Sequence, residues 1–300
     1  MSVVVSTNIA SLRAQTNLTT NTDAYQKAMQ QLSSGSKINS ASDDAAGLSI
    51  SESIKTQING GSQALSNIQT AKNLMAIAEG GEVTVTSHLQ RIRALCVQAA
   101  NETYTATDKN NILQEIKQRL ADITNIADST TFNGVKLLNG ATAPATTKSL
   151  SIQMGANSNP TVNSIDIGPA LTDVHTSILG GGPTVVEGYK GIIIPDTTTG
   201  ATWTTQDIRN YMDKLDTAIG SLTSSRALLG AYGNRLDATS SNLTTMNQNL
   251  TETNSRILDT DVAESSSNMI KYQILQQTSA SILAQANQLP SIALKLLGSS

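Results

Sequence analysis

The chain has 300 residues, of which only 14% are charged and 3% aromatic, and its net charge is −3. Charged residues make up about a quarter of a typical soluble domain, so we expect few deep globular cores and long helix seams of Ala, Leu and Ile. No Lys/Arg run marks a nucleic-acid surface, and no stretch of about 18 apolar residues predicts membrane insertion. The N-terminus lacks the regions of a cleaved secretory signal, and the single cysteine, Cys96, excludes an internal disulfide framework.

The N-terminal segment has apolar residues at helical spacing. We predict a helix that ends near Gly35 and a second helix that begins at Ser40–Asp44, where Ser and Asp suit N-cap positions. The first helix carries a predicted seam formed by Val5, Ile9, Leu12, Leu18, Tyr25, Met29 and Leu32.

Helical periodicity continues to about Asn101, and a further helix follows to about Ala127. The connection between them is short, so the two helices should be antiparallel. Gly80-Gly81 interrupts the first of them, and we expect a bend or loosening of the helix there.

The pattern then changes to that of strands and turns. Phe132-Asn133-Gly134 predicts a hairpin, because Asn-Gly is a strong hairpin signal. Leu150, Ile152 and Met154 alternate with polar residues, and a partner strand around Val162–Ile167 lies across a turn at Gly155–Asn159. Residues 130–203 are therefore predicted to be rich in strands and loops.

The chain ends with a long helix over residues 208–257 and a short break, followed by a seam from Tyr272 to Leu296. The seam is apolar or small at alternating steps of three and four, as in a coiled coil. Such a segment needs a partner, since it cannot stabilise itself alone. Its predicted positions are Tyr272, Leu275, Ser279, Ile282, Ala286, Leu289, Ala293 and Leu296.

The two ends mirror each other about the centre. The predicted fold is mainly α: an antiparallel long-helix coiled-coil rod with a small β-containing region at the far end from the termini. The predicted domains are a terminal coiled coil (1–42 and 258–300), a rod domain (43–140 and 205–257) and a solvent-facing outer region (141–204).

Nothing in the sequence indicates an enzyme. The two histidines, His88 and His175, lie in different segments, and no metal-ligand spacing or phosphate-binding loop is present, so no cofactor is predicted. Cys96 falls on an apolar stripe, which favours a core position over a reactive thiol. For Arg91 and Arg93, a solvated helix face is favoured over a binding patch.

Several motifs resemble bacterial flagellin. Residues 32–50 (LSSGSKINSASDDAAGLSI) are similar to the N-terminal signature of that family, and residues 131–140 (TFNGVKLLNG) resemble it as well. Near the C-terminus, residues 255–259 (SRILD), 273–277 (QILQQ) and 283–288 (LAQANQ) complete the match. The motifs stand in order at both ends of the chain.

The resemblance implies a subunit of the flagellar filament. It implies a helical homopolymer in which the terminal helices line an inner tube, the next helices form an outer tube, and the central region faces solvent. It also implies export to the flagellum outside the cell without a cleaved signal peptide. The implied partners are further copies of the chain, an export chaperone bound to the C-terminal segment, and the filament cap and hook-junction proteins.

The family resemblance further implies recognition by a vertebrate Toll-like receptor. The matching motif comprises Gln90, Arg91 and Leu95, together with Glu115 on the neighbouring helix. Ala94 departs from the motif, since many recognised members carry an acid there.

Two alternatives stay open at this point. One is a soluble ligand or adhesin whose central region binds a surface. The other, more distant, is a hydrolytic enzyme, as in flagellins with an inserted domain; the short middle region with one histidine argues against it.

Overall fold

A computed structural model describes residues 8–139, 150–171, 174 and 204–297, with side chains described as far as residue 288. Val5, most of the predicted outer region, and the side chains of Leu289 and Leu296 lie outside this part of the chain. The chain forms two compact units, one made of residues 1–58 and 247–300 and the other of residues 59–246. We call them the terminal unit and the central unit.

The described fold is mainly α, as predicted. The six helices of the described residues are α1 (Ile9–Ser34), α2 (Ala45–Ala99), α3 (Ala106–Ser129), the short α4 (Pro160–Asn163), α5 (Thr205–Leu258) and α6 (Val262–Leu297). Two antiparallel strand pairs complete it, β1 (Thr131–Phe132) with β2 (Val135–Lys136) and β3 (Ser151–Gln153) with β4 (Ser164–Asp166). A 3₁₀ turn follows at Gly168–Ala170.

Local sequence signals explain where several elements begin and end. Gly35 follows α1 with φ 70°, the left-handed conformation that glycine adopts without steric cost. Asp44 precedes α2, and its Oδ1 accepts a hydrogen bond of 2.9 Å from the backbone N–H of Gly47. Thr105 and Asp108 form a capping box at the start of α3. These boundaries were predictable because each depends on nearby residues only.

The predicted hairpins are confirmed. Asn133 and Gly134 have φ values of 49° and 78°, as a tight turn between β1 and β2 requires. Ile152 pairs with Ile165 in the second hairpin. The predicted partner strand begins later than expected, because Val162 lies in α4 and is 74% exposed.

The hydrophobic core lies in the central unit. α2 and α3 run antiparallel there, as two contacts show: Arg91 pairs with Glu115, and His88 approaches Asp122. α5 is antiparallel to α2, since Lys72 pairs with Asp237 and Arg93 with Asp216. The largest fully buried side chains of these helices are Ile68, Ile92, Leu95, Leu113, Ile116, Ile208, Leu215, Leu222 and Leu236.

The predicted bend at Gly80-Gly81 does not end the helix, because α2 runs from Ala45 to Ala99 without a break. Gly81 serves close packing instead. A Cβ atom there would lie 2.6 Å from Leu138 Cδ1 and 2.9 Å from Thr130 Oγ1. The glycine therefore lets the segment after α3 pack directly on the α2 backbone.

Candidate assembly surface

The terminal unit is built on the antiparallel pairing of α1 and α6. At one end, Asn8 Nδ2 donates a hydrogen bond of 2.8 Å to the carbonyl oxygen of Ala286. At the other end, Ser36 forms a β-bridge with Asp259, and the N–H of Thr260 donates to the carbonyl of Gly35 at 3.0 Å. The pairing thus brings the first and last long helices together, as the mirror layout of the sequence predicts.

The fully buried positions of the contact face between α1 and α6 are small or polar residues. Ala14 and Ala28 of α1 are buried, as are Ser279 and Ala286 of α6. Small residues let the two helix backbones approach closely, but they bury little apolar surface.

Side-chain hydrogen bonds cross this face along its length. Asn21 Nδ2 donates to Ser279 Oγ at 2.9 Å, and Gln276 Nε2 donates to Thr22 Oγ1 at 3.1 Å. These bonds fix the register of the pair, because a shift of either helix would leave part-buried polar groups without partners. Sequence reasoning placed Ser279 in the seam but missed its bond to Asn21.

The structure divides the predicted C-terminal seam between two faces of α6. Tyr272 is half-buried and Ala286 is buried on the α1 side, whereas Leu275 is 38% exposed and Ile282 is 51% exposed. Tyr272, Ser279 and Ala286 form a column along α6, and a seven-residue repeat runs along each side of this column. Periodicity alone could not show which of the two sides meets α1. α1 lies against the side that carries Gln276 and Leu283. Leu275 and Ile282 therefore stay exposed within the single chain, and their predicted place in a filament-assembly seam stays a prediction.

The predicted N-terminal seam is divided in the same way. Leu18, Tyr25 and Leu32 are half-buried at heptad spacing, in register with the buried alanines of α1. Ile9 is 57% exposed and Leu12 is 62% exposed, and Met29 is exposed as well. These three residues do not lie in the α1–α6 contact.

Several large apolar side chains of α1 and α6 are therefore exposed at the surface of the terminal unit. We call this set the outer apolar face. It comprises Ile9, Leu12 and Met29 of α1 and Ile270, Ile274, Leu275 and Ile282 of α6. Exposed apolar residues grouped in this way are common at interaction surfaces.

The loop between α1 and α2 is fixed by Asp43. Lys27 Nζ lies 2.7 Å from Asp43 Oδ1, and the backbone N–H groups of Asn39 and Ser40 donate to Oδ2. Lys27 foremost, then these donors, lower the pKa of Asp43 to about 2. Asp43 is thus a structural residue of the turn, while the neighbouring Asp44 caps α2, as the Ser and Asp residues at 40–44 predict.

The predicted receptor-contact residues lie in the central unit, and three of the four are at the surface. Gln90 is exposed, and Arg91 Nη2 lies 3.1 Å from Glu115 Oε1, with side-chain exposures of 52% and 39%. Leu95 is only 2% exposed and belongs to the core shared by α2, α3 and α5. In this conformation it cannot contact a receptor directly, so the patch is limited to the polar residues.

The described residues offer no constellation for catalysis or metal binding. No group of three or more His, Cys, Asp or Glu side chains among them is arranged to hold a metal ion. Cys96 is fully buried, and burial raises the pKa of its thiol to about 12, as the core interpretation predicts. No helix of the described part is long and apolar enough to cross a membrane.

These features define a class of protein: a mainly helical chain whose paired terminal helices carry exposed apolar residues. Comparison with known proteins gives the family. Residues 5–143 match the bacterial flagellin N-terminal helical region, and residues 212–297 match the bacterial flagellin C-terminal helical region.

Relatives along nearly the whole chain agree with these matches. The flagellin of Bacillus subtilis is 39% identical, covering 97% of this chain and 98% of its own. The "flagellar filament 33 kDa core protein" of Treponema phagedenis is 35% identical, covering 98% and 100%. The solved structure of a putative flagellar hook-associated protein from Vibrio parahaemolyticus is similar in fold, with a TM-score of 0.54 at 14% identity, and covers 72% of this chain and 100% of its own. The chain belongs to the bacterial flagellin family, which consists of structural filament proteins and not of enzymes.

Proposed function

We propose that this chain polymerises into the bacterial flagellar filament through the outer apolar face of its terminal unit. The single observation that carries the proposal is the arrangement of α1 and α6, with small and polar residues at the fully buried positions between them and several large apolar residues exposed. The family membership and the description of the Treponema relative as a filament core protein support it. In this function the filament is a structural element of swimming motility.

Burial of the outer face supplies the driving force for assembly. Ile270, Ile274 and Ile282 each keep about half of their surface in water. Covering the remaining half of such a side chain contributes roughly 1 kcal/mol. Several such side chains in each copy, repeated in an open helical array, stabilise a polymer while the isolated chain stays soluble.

Ile282→Asp tests the proposal. The substitution places a charge in the proposed contact between copies, where it would be buried without a partner. We expect filament formation to be abolished, as seen by electron microscopy after seeding, with an unchanged circular dichroism spectrum of the monomer.

Ala280→Asp is the matched control, since it adds the same charge to an exposed position two residues earlier, about 160° around α6 from Ile282 and away from the other residues of the outer apolar face. This variant should still form filaments. Normal filaments from Ile282→Asp would exclude the outer apolar face as the assembly surface.

We infer a second function, recognition by a host Toll-like receptor, from the polar patch of Gln90, Arg91 and Glu115. It is supported by the family resemblance and by the ion pair that joins exposed residues of α2 and α3 into one surface. Arg91→Ala should lower signalling by purified monomer in receptor-expressing reporter cells at least about tenfold, as expected for loss of an interface arginine.

Arg93→Ala is the control for that experiment. Arg93 lies two residues further on and binds Asp216 of α5 instead. Equal signalling by the wild type and the Arg91→Ala variant would exclude the patch as the receptor contact.

We further propose that the chain is exported without cleavage of a signal peptide, and that it binds an export chaperone and the cap and hook-junction proteins. The exposed apolar residues of α6 support the chaperone interaction, because they need cover before assembly. Mass spectrometry of native filaments tests the mode of export. Detection of the peptide that begins at Met1 or Ser2 is expected, and a shortened N-terminus would contradict it.

A further inference from the structure

Glu82 is a buried acid of α2 that the assembly surface does not use. It lies in the central unit and is 0% exposed, and Ser225 of α5 is 3% exposed. Ser225 Oγ lies 2.8 Å from Glu82 Oε1 and also 2.8 Å from the carbonyl oxygen of Ala170, in the 3₁₀ turn. The three groups join α2, α5 and this turn.

Whether every polar group in this cluster has a hydrogen-bond partner depends on whether Glu82 carries a proton. A serine hydroxyl donates one hydrogen bond. When Glu82 is ionised, Ser225 faces two acceptors, the carboxylate and the Ala170 carbonyl, and can donate to only one of them. When Glu82 Oε1 carries a proton, Glu82 donates to Ser225 and Ser225 donates to Ala170, so both short contacts become good hydrogen bonds.

The second carboxyl oxygen of Glu82 also favours the protonated form. Glu82 Oε2 is buried and has no hydrogen-bond partner. An unpartnered carbonyl oxygen is much cheaper to bury than an oxygen that shares a full negative charge. The neutral acid therefore fits this site better than the carboxylate does.

The charged groups near Glu82 do not make the carboxylate more favourable than the neutral acid. Arg226 of α5 favours the ionised form, but it also lies 3.7 Å from Glu79, which opposes ionisation of Glu82. The turn Gly168–Ala170 carries no titratable side chain. On the segment that packs at Gly81, Lys136 and Asp128 pair with each other at 2.7 Å. Burial outweighs the hydrogen bond from Ser225 and the charge of Arg226, and raises the pKa of Glu82 to about 7.

We propose that Glu82 is a proton-operated latch that holds α2, α5 and the 3₁₀ turn together when protonated and loosens them when it ionises. Loss of the proton leaves a buried charge and one unpaired acceptor within the central unit. This inference goes beyond the filament function and does not depend on polymerisation.

The direction of the pH effect follows from the two states of the chain. In the unfolded chain the pKa of a glutamate is near 4.5, and in the folded chain that of Glu82 is about 7. Between these values the folded state holds one more proton, so the unfolding equilibrium constant rises about tenfold per pH unit and levels off above pH 7. The total rise is about 300-fold.

Denaturant unfolding of the full-length monomer between pH 5 and 8.5 tests the latch. The Glu82→Gln variant keeps a side-chain donor for Ser225 but cannot ionise. Relative to this variant, the wild-type unfolding constant should rise about 70-fold from pH 5 to 8, the part of the total rise that falls in this window. The control variant Glu52→Gln, at an exposed glutamate of the same helix that pairs with Lys55, should follow the wild type. Parallel pH profiles for the wild type and Glu82→Gln would overturn the proposal.

A direct titration keeps the proposal testable if the variant fails to fold. The ¹³C carboxyl resonance of Glu82 in the wild-type monomer should shift with a midpoint near pH 7, the value that burial gives its pKa. A midpoint near the ordinary 4.5 would overturn the latch, because the carboxylate would then be the stable form in the folded chain.

Discussion

At the scale of single residues, Gly80 and Gly81 show how adjacent, identical residues differ in role. Both lie in the middle of α2, where glycine costs helix stability relative to alanine. A Cβ atom added at Gly80 would point into open space, whereas one added at Gly81 would collide with Leu138 and Thr130. Only the second glycine is required by packing.

The pair gives an internally controlled prediction. Gly80→Ala should raise the free energy of unfolding by about 0.5–1 kcal/mol, because alanine restricts the unfolded chain and fits the helix. Gly81→Ala should lower it by about 1–3 kcal/mol, since the added methyl group overpacks the contact with Leu138. Urea unfolding of both variants measures the difference. Equal effects of the two substitutions would mean that the close contact at Gly81 does not affect the free energy of unfolding.

At the scale of elements, α6 differs from an ordinary amphipathic helix. Its inner face is buried against α1 yet carries Ser279 and Ala286, and its outer face carries Ile270, Ile274 and Ile282. Polar contacts set the register of α1 and α6 but contribute little net stability, because each replaces a hydrogen bond to water. The pair should therefore open easily until another copy covers the outer face.

Hydrogen exchange measures this property of α1 and α6. In the monomer we expect their amides to exchange quickly, while amides around Ile92, Ile116 and Leu215 in the buried core of the central unit stay protected. In the polymer the protection of α1 and α6 should rise by more than about tenfold. Equal protection of the two helices in monomer and polymer would contradict assembly through the outer apolar face.

At the scale of the whole molecule, the two units have different sources of stability. The central unit buries large aliphatic side chains between α2, α3 and α5, so it holds its fold within one chain. In the terminal unit the fully buried positions of α1 and α6 are small or polar, and several larger apolar residues are exposed, which we propose contact other copies. This division suits a filament subunit, which must be soluble when it is released and strongly associated after it is incorporated.

The sequence by itself determined the features that depend on neighbouring residues. Gly35 ends α1, Asn133-Gly134 forms the hairpin turn, and the helical repeats set the positions of the long helices, because caps, turns and periodicity act over a few residues. The flagellin family, which is structural and not enzymatic, also followed from residue types and motifs.

Only the tertiary structure decided which face of a helix meets which neighbour. Leu275 and Leu95 both lie on apolar repeats, yet the first is 38% exposed and the second 2%. A heptad pattern with apolar residues on both sides of its central column fits two partner positions equally well, and the choice rests on contacts distant in the chain. The preference of Glu82 for its protonated form could not be predicted from the sequence for the same reason. Its hydrogen-bond partner Ser225 lies 143 positions away.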